Sequence, residues 1–190
     1  NFRGAKFADD LTAYKNFESS TSNDVIRNKL QECQHDVHAW GVQSRVSFDA
    51  GKEHFCILHK TDYEGEVFKL LGVLVDPQLN MVDEICRIRN KAKPKIKAIL
   101  STRHVYDVKG LLFQYKAHAL CLLEFSAGAI CHAAQSHLES LDELQKLFLK
   151  DISISDREAF LHHNLAPLQL RRDIAMLGLL HKIQLGLAHP

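Results

Sequence analysis

The hydrophobic pattern changes its period at Asp76-Pro77, and that change limits the folds open to this chain more than any other feature. Before it, short apolar stretches alternate with clusters of turn residues. After it, apolar residues recur every three or four positions. A strand turns successive side chains to opposite faces, whereas a helix gathers positions three and four apart onto one face. The chain is therefore expected to be α+β, with a mixed piece over 1–77 and an all-helical piece over 78–190.

Within the first piece, Ala5 to Tyr14 reads as strand–turn–strand around two aspartates. Ile26, Leu30, Cys33, Val37 and Trp40 predict an amphipathic helix over Asn23–Trp40, with Ser22, Asn23 and Asp24 at its start and Gly41 ending it. Three strand candidates come next, Arg45–Phe48, Phe55–His59 and Val67–Val75. Asp49-Ala50-Gly51-Lys52 and Asp62-Tyr63-Glu64-Gly65 supply the turns of an antiparallel meander. The expected sheet packs the helix on one face. Beyond Pro77, Met81, Ile85, Ile88 and Ala92 mark a helix interrupted by Pro94. Val108, Leu111, Leu112, Tyr115 and Leu122 mark a second, Leu141, Leu144, Leu147 and Phe148 a third, and Ile174, Leu177, Leu180 and Ile183 a fourth.

A net charge of +1 does not announce a polyanion partner for the chain as a whole, so any nucleic-acid surface has to be a local patch. Five scattered cysteines without a C-x-x-C pair argue for reduced thiols inside a cell, in nucleus or cytoplasm. No apolar run is long enough to span a bilayer, so no membrane partner is expected. Cys131-His132, His137 and His162-His163 lack the spacing of a zinc site and read as ordinary histidines. Trp40, Phe113 and Tyr115 read as core residues.

Phe7-Ala8-Asp9-Asp10 is the sharpest local feature. Two adjacent carboxylates on a tight turn offer the hard oxygen donors that Mg²⁺ or Mn²⁺ takes. Two such ions can activate a 3′-hydroxyl and stabilise the leaving oxygens of a nucleoside triphosphate. Taken alone, the same residues also describe a solvated turn.

The order of the downstream segments gives the motif its meaning. After the aspartates come a helix of about four turns, then Ser47-Phe48-Asp49-Ala50-Gly51-Lys52, then Phe68-Lys69-Leu70-Leu71-Gly72-Val73-Leu74-Val75-Asp76, then helices. This resembles the reverse transcriptases of non-LTR (LINE-like) retrotransposons. Phe7-Ala8-Asp9-Asp10 is similar to the family's metal-binding motif, with Phe where Tyr is commoner. Lys52 matches the lysine of the next motif, with Asp49 standing for Asn. Leu71-Gly72-Val73 with Asp76 matches the primer-grip hairpin, with Leu70 in place of an aromatic residue. Leu123-Glu124-Phe125-Ser126-Ala127 resembles Leu-Glu-Tyr-Gly-Ala. Leu141 to Leu149, then Leu165-Ala166-Pro167-Leu168 with Arg171-Arg172, and Leu180-His181-Lys182-Ile183 resemble later family segments.

The resemblance implies a polymerase palm remnant over 1–77 and a helical thumb and connection over 78–190. It implies an RNA-directed DNA polymerase that adds deoxynucleotides to a primer 3′-hydroxyl on an RNA template. Asp9 and Asp10 then ligate Mg²⁺ or Mn²⁺, and Lys52 protonates departing pyrophosphate, with a solvated turn lysine as its alternative. Leu71, Gly72 and Val73 hold the primer end, or form a plain sheet turn. The family's fingers and a further palm aspartate precede the aspartate pair. Only eight residues precede Asp9, so the chain is expected to be a fragment with little activity alone. The rival expectation is a degraded or repurposed retroelement remnant that acts as a nucleic-acid-binding or assembly module.

One patch is read directly from charge. Arg87, Arg89, Lys91, Lys93, Lys95, Lys97 and Arg103 fall in a stretch with no acidic residue. Such a run is either a solvated face or a phosphate-tracking surface, and the total absence of Asp and Glu favours the latter.

Overall fold

Two small antiparallel sheets and eight α-helices make up the computed structural model, which describes residues 2–7 and 10–187. The chain divides into two compact units, Asn1–Glu66 and Val67–Pro190.

In the first unit, β1 (Arg3–Phe7) and β2 (Asp10–Tyr14) form a hairpin with Phe7 opposite Asp10. Helix α1 (Asn23–Ser44) runs past the expected stop at Gly41. It ends at Arg45, whose φ of 58° turns the chain back so that the Val46 N–H donates to the Gly41 carbonyl at 2.8 Å. Gly41 is needed for this return: a β-carbon there would lie 2.6 Å from the Phe48 ring and 2.8 Å from the Val46 oxygen.

The expected meander does not form. Arg45–Phe48 is irregular, and Phe55–His59 contributes a single bridge, Ile57 to Glu64. Local side-chain bonds compete with a ladder here. Asp49 accepts from the Gly51 N–H at 3.0 Å, and His59 Nδ1 accepts from the Asp62 N–H at 2.8 Å. Side chains rather than strands tie this segment to α1: Arg27 to Glu64 at 2.8 Å and Asn23 to Asp62 at 2.9 Å. Among the described residues of this unit, only Ile26 and Ile57 are buried hydrophobics. Trp40, expected in the core, is half exposed beside Phe48.

The second unit begins with β3 (Phe68–Leu70) and β4 (Val73–Val75), joined by Leu71-Gly72. The expected break at Asp76-Pro77 separates secondary-structure types, yet this hairpin belongs to the compact unit of the helices and packs on α2. Helix α2 (Val82–Ser101) buries Ile85, Ile88, Ala92, Ile96 and Ile99 along one stripe. The Asp76 carboxylate receives the Asn80 and Met81 N–H groups at its start. Next come α3 (Val108–Tyr115), a π-helical segment (Lys116–Leu120), and two short helices, α4 (Cys121–Glu124) and α5 (Ala127–Ile130). They are followed by α6 (Gln135–Asp151), α7 (Asp156–His163) and α8 (Leu168–Gln184).

The core lies between α2, α3 and α6. Tyr115 stacks on Phe148 at 4.3 Å, and its hydroxyl donates to Gln145, whose amide donates to the Ala166 carbonyl. Burial pushes the Tyr115 hydroxyl far above its usual range, so it remains a neutral donor. The Arg172–Asp142 pair, with contacts of 2.8 and 2.9 Å, fastens the first turns of α8 to α6. Beyond that anchor α8 is uncovered: Ile174, Leu177, Leu180 and Ile183 are each more than half exposed. Phe113, expected in the core, is also exposed.

Helix α2 passes unbroken through Pro94, contrary to the expected interruption. The proline is exposed, on the side away from the buried stripe, and so is Asn90, whose carbonyl has no Pro94 N–H to accept from. Burying an isoleucine contributes about 1.5–3 kcal/mol, so the stripe outweighs a proline cost of about 3 kcal/mol. Pro94→Ala is expected to stabilise the second unit by about 1–3 kcal/mol, read as a higher midpoint in urea unfolding. An unchanged or lower midpoint contradicts this account of α2.

Candidate nucleic-acid interface

Hairpin β3–β4 turns through Leu71 at φ 46° and Gly72 at φ 88°. Two successive positive φ values define the tight turn whose twist suits paired strands. Glycine adopts such a φ freely, but leucine is strained there. Leu71 is nonetheless half exposed at the tip, while Val73 packs against the helical core.

What fixes the turn is a carboxylate. Glu84, on the first turn of α2, has no exposed surface. It accepts the Leu74 N–H at 3.0 Å and both the Nε and Nη2 of Arg87 at 2.7 and 2.6 Å. Arg87 Nη2 also donates to the Gly72 carbonyl at 2.9 Å. The pair thus clamps β4 and the turn onto α2. Burial alone would raise the Glu84 carboxyl, but the Arg87 hydrogen bond, the Leu74 amide and the Arg87 charge hold it below the usual carboxylate range.

Arg87 is therefore engaged in the fold, one-quarter exposed, rather than presented freely to a polyanion. Arg89, Lys91, Lys93, Lys95 and Lys97 are exposed on α2, and Arg103 is exposed just beyond it. At about 100° per residue these cations do not share one face. Arg87, Lys91 and Lys95 form a row on one flank of the buried stripe, and Arg89, Lys93 and Lys97 a row on the other. Successive members of a row are about 6 Å apart along the axis. The first row starts at the clamped turn.

The sequence did not single out Glu84 or Phe125. Glu84 carries a readable signal, because it sits at the apolar spacing between Met81 and Ile88 with an arginine three residues on. Phe125 is 65 % exposed between α4 and α5, and its ring lies against the turn: a β-carbon on Gly72 would meet it at 3.5 Å.

The other expected residues lie in the first unit. Asp9 falls outside the described residues. Asp10 is exposed at the start of β2. Lys52 closes a short 3₁₀ turn, Ala50–Lys52, with its ammonium exposed and 3.8 Å from Asp49. Among the described residues no hydrogen bond or ion pair joins Asp10 to Lys52, and no group of three or more His, Cys, Asp or Glu is arranged to hold a metal ion. A cavity of about 240 Å³ beside α6 has Glu139, Asp142, Glu143 and Asp156 in its wall, a charge unsuited to phosphate. No helix among the described residues is long and apolar enough to cross a membrane. Comparison with family models, curated proteins and solved structures finds no match to this chain.

The clamp makes a pH prediction. A carboxyl held low in the folded state adds stability above its unfolded pKa of about 4.3, and that stability is lost as pH falls through the lower folded value. Glu84→Gln should lower the urea midpoint at neutral pH, and the gap from wild type should shrink below about pH 4.3. A gap constant with pH contradicts an ionised Glu84 clamp.

Proposed function

We propose that this chain is the palm-and-thumb part of an RNA-directed DNA polymerase of the non-LTR retrotransposon kind, with α2 lying along the primer–template duplex. The observation that carries the reading is the basic helix α2 clamped to a strained, exposed hairpin turn. Strained backbone held by its surroundings clusters at ligand sites. The motif order supports the same reading, since the turn is Leu71-Gly72-Val73 and comes after Asp9-Asp10 and Lys52 in the family's sequence.

In this reading Lys91, Lys93, Lys95 and Lys97, with Arg89 and Arg103, meet phosphates rather than base edges, so binding is not sequence-selective. Asp9 and Asp10 are the Mg²⁺ or Mn²⁺ ligands; their carboxylates are the hard donors such ions take, and Asp10 is exposed for that role. When bound, the ions supply charge neutralisation for phosphoryl transfer from a deoxynucleoside triphosphate. Lys52 is free of strong partners and is the proton donor for pyrophosphate. The working compartment is the nucleus or cytoplasm.

A second reading, a retroelement remnant serving as an assembly module, is favoured by the uncovered apolar side chains of α8. Catalysis separates the two: a longer polypeptide that carries this segment incorporates deoxynucleotides in the first reading and not in the second. Where it does, Asp9→Ala should abolish incorporation; near-normal incorporation removes the metal assignment.

The duplex contact is testable on the chain itself. Affinity for a primer–template duplex should fall with salt by a log–log slope of roughly −0.9 per phosphate contact, starting near the non-specific range of about 10⁻⁴–10⁻⁶ M. A variant with Lys91, Lys93, Lys95 and Lys97 changed to Gln should bind more weakly and with a shallower slope. The same affinity and slope in that variant would mean that the run is a solvated face.

A further inference from the structure

Phe125 stands at the surface of the packed helical unit. Its neighbours Leu123, Ser126 and Ala127 are buried, yet its own ring is 65 % exposed. The uncovered ring abuts Gly72, and Leu71, half exposed, sits beside Gly72 at the tip of the same turn. The Gly72 carbonyl is fixed by Arg87, which begins the row that continues through Lys91 and Lys95. An apolar aromatic surface thus stands at one end of a line of cations, with a rigid turn between them.

Resting on the duplex-binding reading above, we infer that Phe125, with the Leu71-Gly72 turn, stacks on the terminal base pair of a nucleic-acid duplex whose backbone follows Lys91 and Lys95. The cations in that row are about 6 Å apart, so they follow one strand for only a short distance. A duplex held there that ends at the turn presents its terminal base pair at the place the ring abuts. Inside a duplex the base faces are already covered, so the ring can stack only where a face is free. Base–aromatic stacking is tolerant of sequence because every base has a π-face. Arg87 has a positioning role, holding the turn through Gly72.

The experiment compares two duplexes with the same base-paired stem, one with open ends and one closed at both ends by hairpin loops, whose extra phosphates work against the expected preference. The wild-type chain should prefer the open duplex by roughly 5- to 100-fold. Phe125→Ala should remove that preference while leaving affinity for the closed duplex and the salt slope unchanged. Phe125→Trp should keep the preference, and Phe125→Leu, apolar but not aromatic, should not. The lysine-to-glutamine variant should lose affinity for both duplexes in proportion and keep the ratio. A ratio unaltered by Phe125→Ala, or equally preserved by Phe125→Leu, overturns the stacking inference and leaves the duplex reading standing. If the lysine variant binds as the wild type does, the duplex reading falls with it. Because Phe125 is largely exposed, a urea midpoint close to wild type verifies that each variant is folded.

Discussion

Glu84 has no exposed surface, and three polar groups converge on it: the Leu74 amide and two nitrogens of Arg87. A carboxylate taken out of water is costly unless its lone pairs are filled, and here they are filled by a charged partner and a backbone donor. The hairpin has only three residues in each strand, and an isolated hairpin is at best marginal in water. Its position therefore depends on this clamp. Through Gly72 the clamp also fixes the strained turn against Phe125, and through Arg87 it sets where the first basic row of α2 begins.

The two units rest on different physics. The second has a continuous apolar core from Met81 to Leu168, crossed by a polar line, Tyr115–Gln145–Ala166. The first has little buried apolar surface among its described residues. It is organised by ion pairs and hydrogen bonds such as Arg27–Glu64, His38–Glu53 and Gln34–Glu53. Exposed ion pairs contribute little, a median of about 0–1 kcal/mol. Local opening should thus be easier in the first unit, where Asp10 and Lys52 reside, than around the clamped hairpin.

The long helices α1, α2, α6 and α8 were legible in the sequence because their apolar residues keep helical spacing, and in α2 the stripe Ile85, Ile88, Ala92 is also the buried face. Three things were not. The continuity of α2 through Pro94 depends on the proline falling on the exposed side, which a local rule about proline does not weigh. The allegiance of β3–β4 to the helical unit depends on Glu84, a tertiary tie made across the loop after Pro77. The uncovered face of α8 shows the limit of periodicity, because Ile174, Leu177, Leu180 and Ile183 have helical spacing whether or not anything covers them. As for the candidate site, the charge run was readable. Its two continuous rows were not, because a helix expected to break at Pro94 carries no row past it, and the engagement of Arg87 was not, because it depends on the β3–β4 turn reaching α2.

The central claim, that nucleic acid lies along α2 from the clamped turn outward, is tested most directly by a lysine acetylation footprint read by mass spectrometry. With a primer–template duplex bound at low salt, Lys91, Lys93, Lys95 and Lys97 should be protected, while the exposed Lys146 and Lys150 of α6 keep their free-state labelling. Equal labelling of α2 with and without duplex, or protection on α6 instead, would contradict the account.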